Sequence, residues 1–501
     1  MSGLELSRWN VLSGGEGRRV LALALGGGSL AGCLILYHPA LGGILLLLPL
    51  AAIFIADPRR FLPAGLIFLA VETVILKYAP APLTIPIRYA VESATVALAL
   101  LTVAGKALRG EVPRRTPIDL PLLCFLATVA VSAAINHVPG VVAAAGVKNL
   151  LRFVFLFYLA VQLDFFPRDL RRLLTVLFAV AAAETLFCLF QPILGVRLLD
   201  FLRPGEVMVG GILLRAGEVV EQTPFSKAFG TMGRYNYLGN YLAFALCLGI
   251  APVALGARTR TRFALLAFLG LGLFLTSSRM SILGLGLGVA WMFLRGQKRW
   301  PLLLLFGLVL ALALEFSRVR LLDFAGGETG ASARDRFFVI FTPEYKEQST
   351  RWYTLTTILP ALLQHSPLLG LGSGTIASDA LSIFPEQDRS RELGIAPYFI
   401  TWLPDVGVAA MIGQFGLLGT ACLGWILLRL FRLASRLVKQ SPRPEVRALG
   451  LGVAGIILVM AFINLPGYAF NYRVPAYTFW LMTGVMARLA QAEEGDRCES
   501  S

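Results

Sequence analysis

Apolar runs long enough to cross a bilayer recur from one end of this chain to the other. They are read at roughly 20–37, 40–57, 61–78, 87–107, 119–136, 147–164, 171–193, 235–256, 263–278, 280–295, 301–316, 404–431, 446–466 and 474–490. Each approaches or exceeds the length of about eighteen residues that a membrane helix needs. Composition agrees: 56% of residues are hydrophobic and 15% charged, where a soluble domain averages about 45–50% and about 25%. The expected fold is an all-α polytopic membrane protein of about 12–14 transmembrane helices with a large, partly helical loop on the non-cytoplasmic side. Two tight pairs, 20–37/40–57 and 263–278/280–295, can also be read as re-entrant hairpins. The first run, Val20 to Tyr37, is followed at once by another, so it reads as a span and not as a cleavable signal.

Charge placement supplies an orientation. With Arg8, Arg18 and Arg19 on the cytoplasmic side, every second connection must also be cytoplasmic. Those connections hold Arg59 and Arg60; Lys106, Arg109, Arg114 and Arg115; Arg168, Arg171 and Arg172; Arg258, Arg260 and Arg262; Arg295, Lys298 and Arg299; and Arg429, Arg432, Arg436, Lys439 and Arg443. The dense basic clusters of the short connections fall on one side, as the positive-inside rule requires. The net charge of +15 is therefore read as orientation signals near anionic headgroups, and nucleic acid is not expected as a partner.

Two connections on the opposite side are long. The chain is read as N-terminal helices (1–194), a non-cytoplasmic loop (195–234), central helices (235–316), a large non-cytoplasmic loop (317–403), and C-terminal helices with a cytoplasmic tail (404–501). The large loop holds a segment of helical periodicity, WYTLTTILPALLQ, and then turn chemistry, SPLLGLGSGT. Loops longer than about 12–15 residues are usually functional or disordered, and this one reads as a folded cap over the bundle. All the cysteines but Cys498 lie inside apolar runs, and none has C-x-x-C spacing. His38, His137 and His365 are scattered, and phosphate-loop, dinucleotide and H-E-x-x-H patterns do not occur. No metal and no cofactor are expected.

Polar groups at the outer face remain. Arg279, in LFLTSSRMSILG, stands at the tip of the 263–278/280–295 pair, on the side where basic anchors are disfavoured. It reads as a phosphate ligand or as an interfacial anchor. KAFGTMGRYNYLGNYLA begins a span and carries Lys227, Arg234, Tyr235 and Asn236, with glycines that allow close backbone approach. It too reads as an anion site at a helix start or as an interfacial anchor. Lys148 and Arg152, four residues apart, share a helix face, and Arg351 begins the helical part of the large loop. Each is a candidate substrate contact or a solvated interfacial group. Asp405, in TWLPDVGVAAMIGQFGLLG, is a carboxylate where the chain enters a span. It reads as a general base or as a helix N-cap. Outward-facing cations gathered at headgroup depth suit an anionic, pyrophosphate-linked lipid.

The runs GTMGRYNYLGNYLAFAL, LFLTSSRMSILGLGLG, STRWYTLTTILPALLQHSPLLGLGSGT and AAMIGQFGLLGTACLGW, in this order, resemble the O-antigen ligase and O-antigen polymerase superfamily. The resemblance covers about Lys227 to Leu430 in detail. It implies a bacterial inner-membrane glycosyltransferase, inverting and metal-independent, with its active site facing the periplasm. The implied donor is an undecaprenyl-pyrophosphate-linked oligosaccharide and the acceptor a glycan hydroxyl. Membrane lipids and a chain-length regulator are further implied partners. The family's arginine in the Ser-Arg turn is matched by Arg279. A second cation is implied before the Gly-Thr entry, where this chain has Lys227, with Arg234 after it and Arg215 upstream. The histidine that many members keep before the last motif is replaced by Asp405. Three functions are compatible: polymerisation of lipid-linked repeat units, ligation of a finished glycan to lipid A–core or another acceptor, and, in another class, lipid-glycan flipping. The Asp-Val in place of His-Asn inclines the reading to a polymerase of O-antigen or exopolysaccharide.

Overall fold

The computed structural model describes residues 53–165, 167–202, 206–209, 212–215, 227–257, 259–295, 307, 350–395, 403 and 406–500. The path begins with α1 (Pro58–Tyr78), α2 (Ala81–Leu108), α3 (Asp119–Ile135), the pair α4 (Gly140–Leu150) and α5 (Val154–Gln162), and α6 (Pro167–Leu202). A hairpin of β1 (Glu206–Val209) and β2 (Ile212–Arg215) follows. Then come α7 (Tyr235–Ala254), α8 (Arg260–Thr276) and α9 (Arg279–Arg295). The long connection contains α10 (Thr350–Tyr353), a π turn over Thr354–Ile358 and α11 (Leu359–His365). The chain closes with α12 (Gly407–Gln440), α13 (Pro444–Ile463) and α14 (Arg473–Ser500).

This is an all-α polytopic membrane protein. Six described helices, α1, α2, α6, α7, α12 and α13, are long and apolar enough to cross a membrane. The expected span 147–164 is not one straight helix: α4 and α5 pass the same test only together, bent by 62°. The expected span 20–37, all of 301–316 but one residue, and most of 40–57 lie outside the described residues. The span expected to end at 193 continues as α6 through Leu202. The small β hairpin, which the sequence reading did not anticipate, comes next.

Helix ends follow local chemistry. Asp57 caps α1 by accepting from the Arg59 backbone amide at 3.3 Å, and Pro58 takes the first helical position, where no amide is needed. Thr259 caps α8 in the same way, accepting from the Arg262 amide at 3.3 Å. The other end of α8 stops at Ser277, whose φ of 53° is left-handed.

The centre of the bundle is α7 and α13, which are mostly buried, while α1, α2 and α6 are peripheral. α13 packs on α7, α9 and α12, and α14 on α5. Small residues let the central helices approach. A Cβ added at Gly288 would sit 3.3 Å from the Gly455 carbonyl, and one at Gly455 would sit 3.1 Å from Cys247 Sγ. That is the close packing by which helices associate in lipid, where the hydrophobic effect gives little. Two fully buried phenols find acceptors inside the bundle: Tyr241 donates to the Leu177 carbonyl at 2.7 Å and Tyr477 to that of Leu62 at 2.9 Å.

α12 is broken at Gly416, which takes φ 65° and ψ −172°. The freed amides of Leu417 and Leu418 donate to the carbonyls of Pro367 and Leu368 at 2.9 and 3.1 Å, and Leu371 donates to the Gly413 carbonyl at 2.8 Å. Gln414 accepts from the Gly374 amide at 3.1 Å. The Gly-Gln-Phe-Gly run is thus the seat of the glycine-rich turn 366–378. A side chain at Gly416 would run into the Leu368 carbonyl. The same turn is held to the α3–α4 corner by Ser132, which donates to the Leu369 carbonyl at 2.7 Å, and by Ser373, which donates to that of Ala143 at 3.0 Å. The folded part of the long connection is therefore fixed to the bundle.

Candidate functional site

Two groups of cations meet at the end of the bundle that carries the long connections. The first is an open corner built by α7, α8 and α9. Residues 227–234 lead into α7 through a turn at Gly230, whose φ is 55°. Thr231 donates to Glu184 of α6 from its backbone amide at 2.9 Å and from its hydroxyl, and a Cβ at Gly230 would collide with the same carboxylate. This buried carboxylate ties the turn down. The Ala228 amide donates to the Leu275 carbonyl at 3.1 Å, so the segment is sewn to the end of α8. Gly239 of α7 lies against Ser278, and Ser281 donates to Asn240 at 2.6 Å. Lys227, Arg234 and Arg279 therefore belong to one corner.

Within that corner the cations differ. Lys227 is exposed and lies 4.1 Å over the ring of Tyr235. Arg234 is half-buried, 5.3 Å over the ring of Tyr237. Arg279, the first residue of α9, is exposed and makes no hydrogen bond or ion pair with any described residue. An unpaired arginine at a helix start offers its fork of donors together with the helix's own free amides.

The second group is buried and paired. Arg473, at the start of α14, meets Glu72 of α1 at 2.8 Å and Glu92 of α2 at 2.8 Å. Glu92 also receives Arg152 at 3.4 Å and Lys148 at 3.6 Å. The side chains of Glu72, Glu92, Arg152 and Arg473 are 5%, 7%, 11% and 15% exposed, against 48% for Lys148. Lys148 and Arg152 do not share one helix face, because α4 ends at Leu150. They converge on Glu92 across the break. Arg152, read above as a candidate substrate contact or a solvated interfacial group, is largely buried and already holds partners: it also donates to the carbonyl and side chain of Asn471 at 3.3 and 3.2 Å.

A polar seam joins the two groups. Asn236 donates to the Tyr472 hydroxyl at 3.3 Å, and the rings of Tyr237 and Tyr472 are 4.5 Å apart. Asn471 donates to Asp379 of the long connection at 2.6 Å. The phenol of Tyr468 is buried, and that burial, with Asp379 nearby, raises its pKa.

The remaining sequence candidates are scattered. Arg215 stands on β2 opposite Glu206. Arg351 is exposed on α10 and has no partner among the described residues. Asp405 lies outside the described residues. Its neighbours Val406 and Gly407 are described, and Gly407 packs on the carbonyls of Asn464 and Gly467, close in sequence to Tyr468 and Asn471. Sequence reasoning missed Arg473 and Glu92. Arg473 carried the signal that singled out Arg279: a basic residue opening a span on the disfavoured side.

No curated protein matches the chain. Residues 263–424 match the family model described as O-antigen ligase. The match takes in α8, α9, the long connection and the first half of α12, about a third of the chain, and the positions of Arg279 and Asp405 fall inside it.

Proposed function

We propose that this protein is an inverting, metal-independent glycosyltransferase of the bacterial inner membrane. It takes a glycan from an undecaprenyl-pyrophosphate donor at the periplasmic face and joins it to an acceptor sugar hydroxyl, and its principal activity is polymerisation of polysaccharide repeat units. The family match supports glycosyl transfer between a lipid-linked donor and an acceptor. The observation that carries the site assignment is Arg279: exposed, unpaired among the described residues, inside the matched segment, and at the corner where the segment holding Lys227 and Arg234 is bonded to the end of α8.

The chemistry needs three things. The acceptor oxygen attacks the anomeric carbon from the face opposite the pyrophosphate, and the bond from that carbon to the phosphate oxygen breaks. The electron pair leaves with the pyrophosphate, whose growing charge is stabilised by Arg279 with Lys227 or Arg234. The hydroxyl proton passes to Asp405, the general base of this proposal. The seam along Asn236, Tyr472 and Asn471 supplies polar and aromatic contacts for sugars, and the fixed long connection aligns the two substrates. With arginines in the role of the cation, chelation of divalent metal leaves the rate unchanged.

The test is transfer from purified lipid-linked donor in detergent by Asp405→Asn. Asparagine caps a helix about as well as aspartate but cannot take the proton. The rate is expected to fall by roughly 10²–10⁴ while donor affinity persists. Near-wild-type transfer would reduce Asp405 to a structural cap. Product length addresses the second reading, ligation, which the description of the matched family favours. A polymerase makes a ladder from lipid-linked repeat units alone, whereas a ligase makes none without a separate acceptor.

A further inference from the structure

The buried cluster has an open edge, and its charges do not balance. Arg473 uses Glu72 and Glu92, and Arg152 and Lys148 both lean on Glu92. A fourth cation, Arg88, stands one turn before Glu92 on α2. Its carbonyl accepts from Arg473, but its guanidinium makes no hydrogen bond or ion pair with any described residue. Among the described residues, four cations thus face two carboxylates. A further acid, Asp379, is exposed and bonded to Asn471 at the rim. Excess charge of one sign in a largely buried cluster is costly unless something compensates it.

The uncompensated part lies on the periphery. α2 is mostly exposed on the bundle surface, with Ile85, Leu100 and Leu101 all uncovered. Arg88 and Tyr89 are half-buried, and Lys148, 48% exposed, reaches over the Tyr89 ring at 4.0 Å. Arg88 stands seven residues inside the loop-bearing end of α2, or about 10 Å at the rise of a helix. A cationic edge at that depth on a lateral face meets lipid phosphate rather than a soluble ligand.

We propose that Arg88 and Lys148, with Tyr89 between them, bind the pyrophosphate of a second lipid-linked glycan, the acceptor. The proposal rests on the polymerase reading, since only a polymerase joins two lipid-pyrophosphate substrates. The donor pyrophosphate lies at Arg279, the acceptor pyrophosphate lies at Arg88 and Lys148, and the seam between the two holds the sugars that react. Two dianionic head groups then occupy separate sites instead of competing for one. The paired members, Arg152, Arg473 and the two glutamates, hold the edge in place without touching the ligand.

The test uses the full-length protein in nanodiscs of phosphatidylcholine with fixed donor. Two acceptors are compared: a lipid-pyrophosphate repeat unit and the same oligosaccharide without lipid or phosphate. The variants are Lys148→Gln and Arg88→Gln. Both keep the fold, since Glu92 retains Arg473 and Arg152, and Arg473 uses only the Arg88 carbonyl. The expected result is a KM for the pyrophosphate acceptor raised roughly tenfold or more, the loss of one charge-assisted contact. Donor KM is unchanged, and the phosphate-free acceptor is used equally by variant and wild type. An equal change with both acceptors, or no change with either, overturns the site. So does a defect seen only when phosphatidylglycerol is added, which would make the edge a phospholipid site. Transfer by wild type to neither acceptor would instead defeat the glycosyltransferase reading itself.

Discussion

The two groups of cations at the loop-bearing end are made of the same residue types and have different fates. At the open corner, Lys227 and Arg279 are exposed, and Arg279 has no partner among the described residues. In the buried cluster, Arg473 and Arg152 are nearly inaccessible and each touches a carboxylate. An arginine that already holds a carboxylate in low dielectric has little left to offer a substrate, and removing it leaves a buried charge alone. An arginine held at a helix start without a partner is available when charge appears on a leaving group. The difference separates a residue that holds the bundle from one that acts on the substrate, and counting cations in the sequence does not make it.

The comparison predicts the largest stability loss at Arg473. Arg473→Met leaves Glu72 without its ion-pair partner and Glu92 with weaker ones. Stability should fall by about 3–5 kcal/mol, read as a lower unfolding midpoint in detergent. An unchanged midpoint would mean that the cluster is not what holds α1, α2 and α14 together. The turn that shapes the open corner should be next. Gly230→Ala places a Cβ against Glu184 at a left-handed φ, and a loss of about 1–3 kcal/mol is expected. A neutral result would show that the turn relaxes freely. Lys148 should matter least. Its ion pair with Glu92 is 3.6 Å long and half exposed, so Lys148→Gln should cost only about 0–1 kcal/mol. A larger loss would place it among the buried members of the cluster.

These outcomes bear on how much the sequence discloses. Membrane helices were legible because the bilayer imposes a length and an apolar composition that local reading detects. The hairpin turn at Arg279 and the glycine turn before α7 were legible for a related reason: both are short-range signals. The bend between Leu150 and Val154 was not, since both halves are equally apolar. Nor was the break at Gly416, which depends on carbonyls of Pro367 and Leu368 that reach it from the long connection. The ion cluster was the least legible. Arg473 and Glu92 stand 381 positions apart, and no periodicity or spacing links residues at such a distance. The sequence named Lys148 and Arg152 as candidates but could not say that one is nearly buried and the other half exposed.

The corner is the central claim, and Arg279→Ala tests it most directly. Affinity for a purified undecaprenyl-pyrophosphate oligosaccharide is measured by calorimetry in detergent, with the unfolding midpoint of the same preparation. Loss of charge-assisted bonds to phosphate should weaken binding by roughly tenfold to a hundredfold. The midpoint should stay at the wild-type value, because Arg279 supports nothing else among the described residues. Unchanged affinity, or a fall in affinity matched by a fall in the midpoint, would contradict the assignment and make Arg279 a structural residue like Arg473.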